Sequence, residues 1–320
     1  VQEARDNGDC EMQLLKGAEY LTNTQQPKHE ISAHYYIGNC LYAEGNSNEA
    51  LVHYNFIVSK PNNNYYSEVL RYAGNISYDL KDYSQALGHY STLEKVAVID
   101  DDLRISIIGQ MRAFWNLNNY SSTVEYTDKT LALSDLDDHV RIEALLYKGK
   151  SLKEMQQFEL ALLVLDSATQ ITKGIQGAEA KFHKCEIFFI QEEHELCENE
   201  IMDLVKQTPS YDYWLARGII LLGDNFLAVE DYFNAKHSLQ SIIDNYDGTS
   251  KVDLVKLAQD KIDKILALEN AEQNQFEDED VEIDFENLDP KDEELFNEGD
   301  GQNNEQESST EDSKNEDNEK

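Results

Sequence analysis

A pattern of small and large residues that recurs after 36 positions constrains this chain more than any other feature of its sequence. A glycine is followed by an alanine 12 positions later and by a large residue four positions after that. The pattern occurs at Gly38, Ala50, Tyr54; at Gly74, Ala86, Tyr90; and at Gly149, Ala161, Leu165. A unit of this length with two helical stretches is typical of helical solenoids, in which a hairpin buries its apolar stripe by stacking on its neighbours.

The unit predicts six helical hairpins within a solenoid domain, residues 1–273. They cover residues 30–61, 66–97, 101–133, 138–173, 176–209 and 210–246 approximately. Residues 9–23 have the pattern of a second helix without its first, which suggests that further repeats precede Val1. Residues 251–270 have apolar residues at helical spacing and are predicted to cap the last hairpin.

Three hairpins depart from the pattern. Met111 is expected at the glycine position of hairpin three, and Cys185 at that of hairpin five, with Cys197 at the alanine position. In hairpin six we assign the glycine position to Gly218, 17 residues before Ala235. This gap predicts a first helix that is longer than the others by more than one turn.

These positions, together with Pro61 at the end of hairpin one and Trp214 before Gly218, resemble tetratricopeptide (TPR) repeats over roughly residues 9–270. The resemblance implies an all-α, right-handed superhelix of about six hairpins with a capping helix. Two stretches, around residues 39–62 and 213–246, resemble the C-terminal part of long TPR proteins of Bacteroidetes, often labelled as similar to the Tol-Pal accessory protein. That likeness implies a noncatalytic scaffold of the cell envelope, on its periplasmic side, although a cytoplasmic location stays open.

Residues 274–320 differ from the rest of the chain, with 20 acids, 3 lysines and a net charge of −17. We expect them to form a disordered acidic tail, because they contain too little apolar surface to offset the entropy of ordering. A partner-binding motif at 276–296 is the alternative. The rest of the chain is also acidic, which disfavours nucleic acid as a partner. No apolar run has the length of a membrane span.

The sequence contains no phosphate-binding loop, dinucleotide fingerprint, zinc-protease motif or nucleophile elbow, so we expect neither an enzyme nor a cofactor. One cluster, His183-x-Cys185 and His194-x-x-Cys197, combines residues that can bind zinc. Three interpretations stay open for it. The cysteines fill small packing positions, they form a Cys185–Cys197 disulfide, or the cluster binds a metal.

In TPR solenoids the first helix of each hairpin lines the concave groove, so residues that flank the glycine position are candidates for partner binding. Asn39 and Asn75 match asparagines that clamp a peptide carboxylate in chaperone-binding TPR proteins, but Tyr35 stands where a lysine is expected. The predicted groove consists of Tyr35, Asn39, Tyr42, Arg71, Asn75, Tyr78, Arg112, Trp115, Lys150, Lys153, Phe182 and Phe189.

The sequence therefore favours a noncatalytic scaffold that binds a protein or peptide in this groove. Two alternatives remain: a substrate-recognition arm of an enzyme whose catalytic part lies upstream of Val1, and a structural spacer.

Overall fold

The computed structural model describes residues 10–23, 28–207, 209–248 and 253–278, with side chains described as far as residue 271. All regular secondary structure in these residues is α-helical. The helices are α1 (Cys10–Asn23), α2 (Glu30–Ala43), α3 (Ser47–Val58), α4 (Tyr66–Asp79), α5 (Tyr83–Val96), α6 (Asp100–Asn116), α7 (Tyr120–Leu131), α8 (Asp138–Glu154), α9 (Phe158–Ile171), α10 (Ile175–Ile190), α11 (His194–Val205), α12 (Asp212–Ala228), α13 (Tyr232–Asn245) and α14 (Leu254–Asp278). None of them is both long and apolar enough to cross a lipid bilayer.

Helices α2 to α13 form the six predicted hairpins, numbered one to six. Within each hairpin the first helix packs on the second, and the second packs on the first helix of the next hairpin. This arrangement confirms the all-α solenoid, with hairpins built like tetratricopeptide repeats. Helix α1 packs on α2 as a second helix would.

Every hairpin turns at the same place in the repeat. The turn residue has a φ between 55° and 82°, in the left-handed region that ends a helix when two backbone N–H groups bond back to it. In hairpin two, for example, the N–H of Lys81 donates to the carbonyl of Tyr78 and that of Asp82 to Ser77. The six turn residues are Gly45, Lys81, Asn118, Gln156, Glu192 and Glu230.

The glycines of the repeat leave room for the ring of their own hairpin's second helix. A Cβ added at Gly38 would lie 2.8 Å from the ring of Tyr54, and one at Gly74 would lie 2.6 Å from Tyr90. Tyr90 also contacts the next hairpin, because a Cβ at Gly109 would meet the same ring at 2.6 Å. Each tyrosine therefore fills space that the glycine leaves empty.

We name the glycine and large positions of the repeat the small position and the large position. In hairpin three the larger side chain, Met111, stands at the small position and the smaller one, Thr127, at the large position. Both are fully buried. The small positions are Gly38, Gly74, Met111, Gly149, Cys185 and Gly223, and the large positions are Tyr54, Tyr90, Thr127, Leu165, Ile201 and Leu239.

The assignment of Gly218 to the small position of hairpin six is wrong. A Cβ at Gly223 would lie 2.8 Å from Leu239, so Gly223 occupies that position, 12 residues before Ala235 as in the other hairpins. Gly218 instead faces the preceding hairpin, at Leu204. Helix α12 has 17 residues against 14 in α2, a difference of less than one turn.

The array is closed at the C-terminal end by α14, whose buried residues join the core of hairpin six. They are Leu254, Ala258, Ile262 and Ile265. The chain divides into two compact units, Val1–Leu266 and Ala267–Lys320. Helix α14 continues to Asp278, beyond the predicted domain boundary at residue 273. The rest of the predicted acidic tail, with most of the motif at 276–296, lies outside the described residues.

Candidate partner-binding groove

The first helices of neighbouring hairpins approach one another. From hairpin two to hairpin six, each first helix contacts the next first helix, and the described second helices make no contact of comparable extent with each other. Where stacked hairpins lie closer together on one side, that side of the stack is the narrower one. We call it the inner face, and it consists of the surfaces of α2, α4, α6, α8, α10 and α12 that carry the residues next to the small positions.

A ladder of ion pairs crosses the inner face from one hairpin to the next. The residue that follows the small position pairs with a residue on the first helix of the next hairpin or, in the last rung, on α14. Its four rungs are Arg112–Glu143 at 2.7 Å, Lys150–Glu179 at 2.7 Å, Glu186–Arg217 at 3.5 Å and Asp224–Lys261 at 2.5 Å. The signs reverse halfway along. The first two rungs have the cation on the earlier hairpin, and the last two have the acid there.

The predicted cations of the groove already form ion pairs with carboxylates of the chain itself. The guanidinium of Arg112 donates to both carboxylate oxygens of Glu143, and Arg71 lies 3.5 Å from Asp102. Lys153 pairs with Glu186 at 2.7 Å. Each of these cations is already paired with a carboxylate of the chain. The inner face therefore does not present a set of free cations to a bound protein.

The carboxylates between hairpins four and six remain ionised. Burial alone would raise the pKa of Glu186, but the hydrogen bond from His183 and the charges of His183 and Lys153 outweigh it and lower the pKa to about 2. Burial would raise the pKa of Glu179 too, but His183 at 3.8 Å and Lys150 at 2.7 Å outweigh it and lower that pKa. These rungs therefore stay charged throughout the neutral and mildly acidic range.

The two asparagines that match the carboxylate-clamp positions are tied to the hairpins. The hydroxyl of Tyr54 donates to Oδ1 of Asn39 at 2.7 Å, and that of Tyr90 donates to Oδ1 of Asn75 at 2.8 Å. Each bond joins two residues that are 15 positions apart in the sequence, so the same bond recurs in two repeats. Each asparagine consequently presents its amide N–H₂ side in a fixed direction.

Aromatic rings cover the N-terminal half of the inner face. Tyr35 stacks on Tyr65 with ring centroids 4.0 Å apart, and its hydroxyl donates to Glu68 at 2.8 Å. Trp115 stacks on Tyr147 at 5.0 Å, and the ammonium of Lys150 lies 4.8 Å from the Trp115 ring. The rings are held by packing, which reduces the entropy lost when a partner binds.

Three cavities open along the inner face. The cavity formed by hairpins one to four has a volume of about 440 Å³ and brings together four predicted residues, Tyr42, Asn75, Tyr78 and Arg112. A second of about 440 Å³ contains Tyr35 and Asn39. A third of about 350 Å³ includes Phe182.

The other predicted residues lie outside the linings of these cavities. Arg71, Trp115, Lys150 and Lys153 make the ion pairs and ring contacts described above, and Phe189 packs in the core of hairpins five and six. Phe182 itself is 97% covered by its neighbours, with a relative exposure of 3%, and the guanidinium of Arg217 lies 4.2 Å from its ring.

Of the four ladder residues that follow a small position, sequence reasoning found Arg112 and Lys150 and missed the other two. Glu186 and Asp224 follow the small positions of hairpins five and six as Asn39 and Asn75 do in hairpins one and two. Applying the 12-residue spacing of the other hairpins to hairpin six would have identified Gly223 as its small position. Asp224 would then have been the residue that follows it.

The structure supports the first of the three interpretations of the cysteine cluster and contradicts the second. Cys185 and Cys197 are free and fully buried, and burial raises the pKa of both thiols, which supports the packing interpretation. The disulfide instead joins Cys10 of α1 to Cys40 of α2, with Cα atoms 5.4 Å apart. No three His, Cys, Asp or Glu side chains in the described part of the chain could hold a metal ion together.

Comparison with known proteins identifies similar folds. No protein-family model and no curated protein matches the chain. A tetratricopeptide repeat protein from Parabacteroides merdae aligns over 81% of this chain and 95% of its own, at 15% identity and a TM-score of 0.44. The TPR protein YrrB, described as having an unusual peptide-binding site, aligns over 65% and 97%, at 15% identity and a TM-score of 0.46.

A chain of the Naa15/Naa10 complex bound to HypK aligns over 79% of this chain and 36% of its own length, at 17% identity and a TM-score of 0.52. This similarity supports the fold alone.

Proposed function

We propose that the chain is a noncatalytic protein–protein interaction scaffold that holds a segment of a partner protein on the inner face. The observation that carries this proposal is the cavity at Tyr42, Asn75, Tyr78 and Arg112, which lies where the first helices converge. Tyrosine and arginine are among the side chains that most often anchor interfaces.

The charge of the inner face indicates what kind of segment fits. Arg112 is neutralised by Glu143, whereas Asp79 at the edge of the same cavity is exposed and has no ion pair among the described residues. A neutral or weakly basic segment therefore fits this cavity better than an acidic one. Its apolar side chains would contact Ile105, Ile108 and Val140, which line the floor.

Photo-crosslinking tests the location of the bound segment. A benzophenone amino acid replaces Tyr42 on the inner face in one variant and Val52 on the outer side of α3 in a matched control; their side chains are 37% and 68% exposed. Both variants are expressed in the source organism and irradiated. We expect a specific crosslinked protein from position 42 and none from position 52. Crosslinks from position 52 alone would contradict the proposal.

We further infer that the chain works in an oxidising compartment as part of a larger cell-envelope-associated protein. The inference is supported by the Cys10–Cys40 disulfide, because disulfides persist outside the reducing cytoplasm. Rapid alkylation of free thiols in intact cells tests it. We expect Cys10 and Cys40 to resist alkylation until a reductant is added, and their immediate modification would contradict the inference.

A further inference from the structure

Three lysines surround a cavity of about 390 Å³ between hairpins four and five. It lies at the end of the hairpins opposite to their turns, where α9 and α11 end and α10 begins. The inner-face cavities share none of its lining residues. Its polar side chains are Lys173, Lys181, Lys206, Thr169, Thr172, Asp203 and Gln207.

The cations of this cavity differ from those of the inner face in having no ion pair. Within the described residues, Lys173, Lys181 and Lys206 have no carboxylate within ion-pair distance; Lys181 reaches only the backbone oxygen of Asp203, at 3.4 Å. Three acids on the neighbouring helices already have lysine partners. Lys184 binds both Asp166 and Glu200, and Glu179 pairs with Lys150.

This lack of pairing is informative in such an acidic chain, which has 63 acids and 27 basic residues. Three ammonium groups around one space repel each other, and the repulsion is relieved when an anion enters. Asp203 contributes one exposed carboxylate to the lining, so the lysines keep a net positive charge of two there.

Hydrogen bonds hold the segment between α9 and α10, which forms part of the wall of the cavity. Nε2 of Gln207, after α11, donates to the carbonyl of Lys173 at 3.0 Å. The N–H of Gly174 donates to Oγ1 of Thr172 at 2.9 Å, so that hydroxyl keeps its own proton for another acceptor. The cavity thus combines a hydrogen-bonded backbone segment, one available hydroxyl and three ammonium groups without an ion pair.

We propose that this cavity binds a small anionic group with several oxygen atoms, either a phosphoryl group or clustered carboxylates. Both present several acceptors to cations that approach from different sides. The site would give the scaffold a second binding surface, selective for acidic chemistry, in addition to the neutral inner face.

Calorimetric titration of the full chain tests the proposal, with inorganic phosphate in one arm and tricarballylate, a tricarboxylate, in the other. The test variant carries Lys173→Gln, Lys181→Gln and Lys206→Gln. The control variant loses the same charge at exposed positions elsewhere, through Lys28→Gln, Lys60→Gln and Lys95→Gln. We expect saturable binding of at least one anion to the wild type and the control, and affinity at least about tenfold weaker in the test variant.

Absence of saturable binding in both arms would overturn the proposal, and so would equal binding by the test and control variants, which would indicate an adventitious ion only. If the triple variant is not helical by circular dichroism, the single change Lys206→Gln replaces it, since this side chain is exposed after the end of α11. We expect that change to weaken binding at least about threefold, and unchanged affinity would overturn the proposal. The arm that binds more tightly distinguishes phosphoryl from carboxylate recognition.

Discussion

Glycines in this chain serve two different roles, and their surroundings distinguish them. Gly74 faces the ring of Tyr90, whereas Gly88, in the middle of α5, has no atom within 4 Å of the place where a Cβ would stand. The sequence predicted the role of Gly74 from the periodic pattern. It did not predict the open space next to Gly88, because the surroundings of a residue outside the repeat pattern depend on how the hairpins stack.

Alanine at these two positions should have opposite effects on stability. We expect Gly74→Ala to destabilise the fold by about 1–3 kcal/mol, because the ring of Tyr90 must move from a fully packed site. Gly88→Ala should stabilise it by about 0.5–1 kcal/mol through helix propensity. Urea denaturation of both variants measures the difference. Equal effects of the two changes would contradict the packing of the small position.

Two imidazoles face each other in hairpin one. Nδ1 of His34 lies 2.9 Å from Nδ1 of His53, and His34 stacks on Phe56. Burial and the neighbouring His53 lower the pKa of His34 from 6.5 to about 4. Burial also lowers the pKa of His53, although Glu49 opposes this effect. The folded chain therefore favours both rings in their neutral form.

This pair should make the fold sensitive to mild acid. Between pH 6.5 and about 4 the unfolded chain binds more protons at this pair than the folded chain does, so a fall in pH over this range favours unfolding. The stability that the neutral pair contributes is complete above pH 6.5 and is lost as the pH falls towards 4. We expect melting temperature to fall less between pH 7 and pH 5 in His34→Gln/His53→Gln than in the wild type. His237→Gln, at an exposed site on α13, is the control. An identical pH dependence in the double variant would count against this account.

Helices in the array are connected by side chains as well as by apolar packing. The ladder joins α6, α8, α10, α12 and α14 in order, through pairs 29 to 37 residues apart in the sequence. The sequence predicted the helices and their order, because local periodicity and turn residues determine them. It did not predict the rungs, because the partner of each charge depends on how far neighbouring helices are shifted along each other.

The rung between α6 and α8 should contribute measurable coupling. We expect a double-mutant cycle with Arg112→Ala and Glu143→Ala to give an interaction of about 1–2 kcal/mol, because the bidentate pair is partly buried. Lys16→Ala and Glu19→Ala form the matched control, an exposed pair within α1 whose coupling should stay below about 0.5 kcal/mol. Coupling in the Arg112 pair as small as in the control would show that the ladder does not stabilise the array.

The whole molecule has one covalent connection that the sequence did not predict. We considered Cys185 and Cys197 as a possible disulfide because they lie on the two helices of one hairpin, yet the bond joins Cys10 and Cys40, 30 residues apart. The reason is that α1 packs on α2 with Cys10 at its first residue. The cavities of the inner face could not be predicted, since each depends on side chains from several segments that only the stacked fold brings together.

Counting thiols checks the disulfide directly. We expect the denatured protein to react with two equivalents of a thiol reagent before reduction, at Cys185 and Cys197, and with four after reduction. Peptide mapping should place the oxidised pair at Cys10 and Cys40. Four reactive thiols without reductant, or a Cys185–Cys197 linkage, would contradict the structure.

The proposed function requires that the inner face binds the partner. The most direct test is the dissociation constant of the partner identified by crosslinking, measured for the wild type, for Tyr42→Ala and for Val52→Ala. We predict at least about tenfold weaker binding for Tyr42→Ala, because it removes an aromatic side chain at the edge of the central cavity, and a change below about twofold for Val52→Ala on the outer side. Unchanged affinity for Tyr42→Ala together with a loss for Val52→Ala would contradict the claim.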